Sequence, residues 1–85
     1  MIKLYTGSSC PACTALKKRL AKLNLEGYEE CNISNSEHKD ALVSLGLRSI
    51  PVLALYNDKG VMRNTLVGNI ASDIHLEVFF GLLET

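Results

Sequence analysis

The sequence predicts an α/β domain in which three helices cover a mixed sheet of four strands, in the order β-α-β-α-β-β-α. Three observations carry that reading. Pro51-Val52-Leu53-Ala54-Leu55-Tyr56 is continuously apolar, as a strand covered on both faces must be, and belongs in the middle of the sheet. Asn57-Asp58-Lys59-Gly60 follows as a turn whose glycine can take positive φ, so residues 61–67 return as an antiparallel hairpin partner. The two earlier strands are joined through a helix, which makes them parallel with a right-handed crossover.

Residues 1–5 alternate apolar and polar side chains and read as the first strand, and residues 6–9 as a loop of small residues. A helical pattern starts at Pro11, with Cys13, Leu16, Leu20 and Leu23 on one stripe and Lys17, Lys18, Arg19 and Lys22 on the exposed side. Proline suits a first helical position, because the N–H it lacks would have no partner there. Cys10 then falls at the cap and Cys13 one turn inside. The helix ends near Asn24, Gly27 opens the next turn, and residues 28–33 read as the second strand. Ser34-Asn35-Ser36-Glu37 has the spacing of a capping box and predicts a helix to about Gly46, with Ala41, Leu42 and Leu45 inward. Gly68-Asn69 breaks the fourth strand. Ser72 and Asp73 cap a last helix whose inward stripe is read as Ile74, Val78, Phe79 and Leu82.

Eighty-five residues suit one domain over 1–85, and an apolar content of 47% excludes a disordered chain. Nine Lys and Arg balance nine Asp and Glu, so there is no excess positive field to gather a polyanion. Nucleic acid is therefore excluded as the principal partner. No stretch approaches the roughly 18 apolar residues of a membrane span, and the N-terminus runs straight into polar residues. Neither a membrane nor a secretory signal is expected.

Three cysteines are not the even-numbered framework of a small secreted protein. Two of them form Cys10-Pro11-Ala12-Cys13. A zinc site needs a second such pair or nearby histidines, whereas Cys31, His38 and His75 are scattered singly. A redox dithiol is the better reading. Cys10 at a helix N-terminus faces unpaired N–H groups, those of Ala12 and Cys13 being candidates, and the positive end of the helix dipole. Both favour the thiolate, the nucleophile of thiol–disulfide exchange, over a thiol of ordinary pKa near 8.5. Cys13, one turn away and less exposed, can attack a mixed disulfide formed at Cys10. Cys10 is thus assigned as nucleophile and Cys13 as resolving thiol. Lys17 lies four residues after Cys13 and seven after Cys10, and is a candidate for tuning the thiolate or a solvated lysine in a basic run. Cys31 reads as a small packed residue. His38 and His75 show no partner and take no role.

The Cys-X-X-Cys between first strand and first helix, Ile50-Pro51 opening the third strand and Gly68 closing the fourth together resemble the thioredoxin/glutaredoxin superfamily over essentially the whole chain. The resemblance implies a minimal thioredoxin fold. The short first strand is more similar to a glutaredoxin, whereas Ile50-Pro51-Val52-Leu53-Ala54-Leu55-Tyr56, its hairpin and Leu66-Val67-Gly68 are more similar to a thioredoxin. It implies a cis peptide at Ile50-Pro51 beside the dithiol, which puts Pro51 with the catalytic cysteines. It also implies that Ser49 and Ile50 offer backbone groups to an extended substrate or to glutathione. Pro11, Ala12, Gly68, Ser72 and Asp73 complete the expected binding surface. Several positions depart from the family pattern. Gly7 stands where glutaredoxins place a basic residue, Ala12 where they often have Tyr, and Gly68-Asn69 where they have Gly-Gly. Asp73 survives as the acidic residue near the last helix. Thioredoxins have Gly-Pro between the cysteines and a buried Asp where Leu4 stands here.

The activity implied is a dithiol–disulfide oxidoreductase that reduces disulfide-containing protein substrates and draws electrons from thioredoxin reductase or glutathione. The alternative is a glutathione-dependent glutaredoxin acting on glutathione mixed disulfides, with ribonucleotide reductase as a recipient suggested by the resemblance. Ala12 cannot stabilise the thiolate as the His of strongly oxidising relatives does, so a potential of about −200 to −270 mV is expected. The expectations include a Cys10–Cys13 redox disulfide without a tightly bound cofactor, a monomer, and a cytoplasmic location. Two other classes remain, a module holding zinc or an iron–sulfur cluster through Cys10, Cys13 and external thiols, and a structural domain without the chemistry.

Overall fold

In the computed structural model, which describes residues 1–68 and 71–82, the elements are β1 (Ile2–Thr6), α1 (Pro11–Lys22), β2 (Tyr28–Asn32), α2 (Ser36–Ser44), β3 (Val52–Tyr56), β4 (Met62–Val67) and α3 (Asp73–Gly81). The sheet order is β2-β1-β3-β4, with β1 parallel to β2, and β3 antiparallel to both β1 and β4. This is the mixed four-stranded sheet with three helices that the sequence predicts, and the apolar run supplies one of its two inner strands.

Alternation along β1 divides the core between the two faces of the sheet. Ile2 and Leu4 join Leu16 and Leu20 of α1, Leu53 of β3 and Leu76, Phe79 and Phe80 of α3 in one cluster. Tyr5 points the other way, with Cys31, Leu42 of α2 and Ala54. A strand buried on both faces is held in register by both clusters, because a slip of one residue would exchange every side chain between them. The end of β1 is therefore a fixed platform for the loop that follows.

The β3–β4 turn forms as expected. Asn57 Oδ1 accepts the N–H groups of Lys59 and Val61, each at 2.9 Å, and Gly60 adopts φ 77°. Gly68 follows β4 directly; Asn69, the other half of the expected break, lies outside the described residues.

Two readings of the sequence need correction. The cap of α2 is Asn35 and not Ser34: Asn35 Oδ1 accepts the Glu37 N–H at 2.9 Å. Asn32 takes Ser34 into a preceding turn through its own Oδ1, and its carbonyl accepts the Asn35 N–H, so the chain enters the helix one residue late. In α3 the inward stripe is Leu76, Phe79 and Phe80, whereas Ile74 and Val78 are 72% and 62% exposed. Five of the nine residues of α3 are apolar aliphatic or aromatic and they lie all round the helix, so a 3.6-residue period does not select a face. Partners elsewhere in the fold do. Phe80 sets its ring edge-on to Tyr28 at 6.1 Å, with Phe79 beside it.

Candidate active site

The β1–α1 loop delivers Cys10 to the N-cap of α1, with φ −131° and ψ 93°. Pro11 occupies the first helical position, as the sequence predicts. The Cys10 Sγ accepts the backbone N–H of Cys13 at 3.1 Å, so a sulfur fills the role that a Ser or Asp oxygen usually plays at a helix start. Cys10 and Cys13 are joined in a disulfide with their Cα atoms 5.2 Å apart. The two sulfurs are not equivalent: Cys10 is partly exposed, between exposed Ser9 and exposed Pro11 and Ala12, whereas Cys13 is only 1% exposed.

A second segment meets this loop. Gly7 lies so close to Ile50 that a Cβ on it would sit 2.6 Å from the Ile50 Cδ1 and 3.9 Å from the Cys10 Cβ. The Ile50–Pro51 peptide is cis, and Pro51 is buried. Its carbonyl accepts the Gly68 N–H at 2.9 Å. Gly68 packs without room for a side chain: a Cβ would strike the Leu16 Cδ2 of α1 and stand 3.4 Å from Pro51. The fold therefore gathers Cys10, Cys13, Ile50, Pro51 and Gly68 at one end of the sheet. Ser49 is exposed, and no backbone hydrogen bond within the described residues engages Ser49 or Ile50. A cavity of about 450 Å³, lined by Met1, Tyr56, Asp58 and Arg63 among others, lies at the other end, where β1 begins and β3 finishes.

The remaining candidates are placed differently from one another. Lys17 makes an ion pair with Glu30 of β2, Nζ to Oε2 at 3.1 Å, and the same carboxylate accepts the hydroxyl of buried Thr6 at 3.0 Å. Ser72 caps α3, its Oγ accepting the His75 N–H at 3.2 Å. Asp73 is held by Arg19 of α1, whose Nη2 stands 2.8 Å from Oδ1 and also donates to the Ala71 carbonyl at 2.7 Å. Cys31 lies fully buried on the face that α2 covers, and burial pushes its thiol up. On that same face the Tyr5 and Tyr56 hydroxyls meet at 2.8 Å, and burial holds the Tyr5 phenol well above its ordinary range.

Arg19 sits in a basic run that reads as solvent-facing, and the sequence pattern singles out neither Thr6 nor Glu30. Nothing in the chain announces a contact between Arg19 and Asp73 across 54 positions. Glu30 did leave a trace: it shares its strand face with Tyr28, which packs on the α1 and α3 side.

The Glu30 carboxyl lies below the ordinary carboxylate range, first because Lys17 hydrogen-bonds it and then, against a push upward from burial, because Thr6 does. A depressed folded pKa means that the pair stabilises the fold above the carboxylate's unfolded pKa and stops doing so as pH falls through the folded one. Both side chains are more than a third exposed, so the contribution is below about 1 kcal/mol. Lys17→Met is accordingly expected to be slightly less stable than the parent at pH 7, and the difference should narrow in urea unfolding as pH falls through the folded pKa of Glu30.

The sequence model of the glutaredoxin family matches residues 2–61. The chain belongs to the glutaredoxin family. A search of curated proteins finds no match to this glutaredoxin. Among solved structures it is similar to a Malassezia sympodialis thioredoxin, with a TM-score of 0.75 at 13% identity over 99% of this chain and 74% of that one. A Thermus thermophilus thioredoxin gives a TM-score of 0.75 at 10% identity over 99% and 72%. A mutant of the thioredoxin-like protein BC3987 gives 0.64 at 22% identity over 98% and 99%. These likenesses establish the thioredoxin fold. Family membership and the Cys10–Cys13 disulfide together make this glutaredoxin a thiol–disulfide oxidoreductase.

Proposed function

We propose that the chain is a dithiol electron carrier that reduces disulfides in protein substrates. The observation that carries this is the asymmetry of the pair: a reachable Cys10 sulfur aimed at the Cys13 N–H, backed by a Cys13 sulfur closed off from solvent. In the reduced protein the Cys10 thiolate attacks one sulfur of a substrate disulfide, and the other leaves as a thiolate that takes a proton from water. Cys13 then gives up its proton and attacks the Cys10 Sγ. The second substrate sulfur leaves, the substrate has gained two electrons, and the Cys10–Cys13 disulfide has formed. That no backbone hydrogen bond among the described residues engages Ser49 or Ile50 supports pairing with an extended substrate segment alongside the sulfurs. Pro11 and Ala12 offer exposed surface against which such a segment lies, and buried Gly68 backs Pro51 behind it.

Protein substrates are preferred to glutathione on two further observations. The Asp73 carboxylate is already held by Arg19, and Gly7, packed against the tip of the Ile50 side chain, offers no cation to a glutathione carboxylate. We assign the reaction to the cytoplasm, whose reducing poise suits a reductant. Ribonucleotide reductase is the protein substrate to assay first.

Family membership favours a second reading, a glutathione-dependent glutaredoxin. The donor separates the two. The oxidised protein is offered either a flavin-dependent thioredoxin reductase with its nicotinamide, or glutathione, and the free thiols are counted over time. Faster reduction by the reductase is the expected result. Faster reduction by glutathione, with turnover of a glutathione mixed disulfide that survives Cys13→Ser, would replace the first reading by the second.

A further inference from the structure

Exchange at Cys10 and Cys13 leaves the network of Lys17, Glu30 and Thr6 without a part. Its geometry is specific. Lys17 stands one turn beyond Cys13 and about two turns beyond Cys10, on their side of α1, and helical side chains lean toward the N-terminus. Its side chain therefore leaves α1 on the flank that carries Cys13. Glu30 pairs with Leu4 across the sheet, yet its carboxylate reaches the hydroxyl of Thr6, two residues nearer the dithiol loop. Thr6 is 1% exposed, so the carboxylate is pinned by a fixed donor at that end. Anion and cation meet at 3.1 Å, between α1 and β2.

The elements around the dithiol contribute few other charges. Lys17 and Lys18 come from α1, Glu30 from β2, Arg48 from the segment before β3, and Asp73 from α3, where Arg19 cancels it. Glu30 cancels Lys17 in the same way, and Lys18 and Arg48 are solvated.

We propose that Glu30 is a positioning residue for the exchange reaction, holding Lys17 in a neutral pair and so withholding that cation from the Cys10 thiolate; this rests on the reading of Cys10 as nucleophile. With the pair intact, the thiolate depends on the helix N-terminus alone. That restraint has chemical value, because a thiol made too acidic is a weaker nucleophile.

The test is the rate at which iodoacetamide, a neutral reagent, alkylates Cys10 in the reduced protein from pH 4 to 9, with the label located by mass spectrometry. Glu30→Gln frees the cation: the midpoint of the profile falls and alkylation at pH 6 rises roughly two- to fivefold. Lys17→Met bares the anion and moves both by a similar amount in the opposite direction. The double variant Lys17→Met/Glu30→Gln returns to within about twofold of the parent, and Lys17→Arg keeps the parental profile. Added salt shrinks both single effects. Single variants that move the midpoint in the same direction, or leave it unmoved, overturn the inference; a purely structural pair would lower the melting temperature of both and leave the midpoints in place. Alkylation reads Cys10 without turnover, so a null result here leaves the disulfide-reductase reading standing, whereas activity retained by Cys10→Ser would remove that reading instead.

Discussion

Cys10→Ser is expected to lower protein-disulfide reduction to the rate of the donor alone, a loss on the order of a thousandfold or more. A serine hydroxyl is protonated at every working pH and forms no disulfide, so the first step of exchange has no nucleophile. The substitution is otherwise mild. The N-cap position still carries a side-chain acceptor for the Cys13 N–H, and serine is a preferred residue there, so α1 should keep its start and the melting temperature should hardly change from that of the reduced parent. Cys13→Ser is the informative companion: it leaves the first attack in place and removes the second, and the protein should accumulate as a mixed disulfide with its substrate, visible by mass. Measurable reductase activity in a folded Cys10→Ser protein would refute the assignment of roles.

Leu53→Ala should have the largest effect on stability, about 3 kcal/mol or more. Leu53 is completely buried in β3, opposite Leu4 on one side and Leu66 on the other. It also belongs to the cluster that α1 and α3 share with the sheet. Truncation removes three methyl or methylene-sized groups and leaves a void that two central strands and two helices cannot all close in on. A chain of 85 residues has only roughly 4–13 kcal/mol of stability in total. The midpoint of thermal unfolding should drop by roughly 10–25 °C. A loss below 1 kcal/mol in urea unfolding would show that the cluster repacks freely.

What could be read from the chain was whatever local chemistry announces. The cap at Cys10, the proline after it, the apolar run of β3 and the Asn57 turn each state their conformation within a few residues, and each formed as predicted. Cap choice at α2 was harder because Ser34 and Asn35 are near-equal caps, and the decision fell to a turn begun by Asn32. The face of α3 was legible only at Phe79, since its apolar residues surround it and the choice depends on partners elsewhere in the fold. In the site, the two sulfurs and Pro51 carry motif-scale signals. The ion pairs of Lys17 and Arg19 join elements distant in sequence, where spacing says nothing about which opposite charge is met.

The grip of Arg19 on Asp73 and on the Ala71 carbonyl has one more bearing. A cylinder that is greasy all the way round has little reason of its own to stop at one angle. The guanidinium works as a key in a slot at the very start of that cylinder, agreeing with the aromatic rings about which flank is turned toward water. Orientation of the last helix is thus set partly by polar chemistry at its rim, and the first helix, which bears the reactive sulfurs, is the element that holds the key.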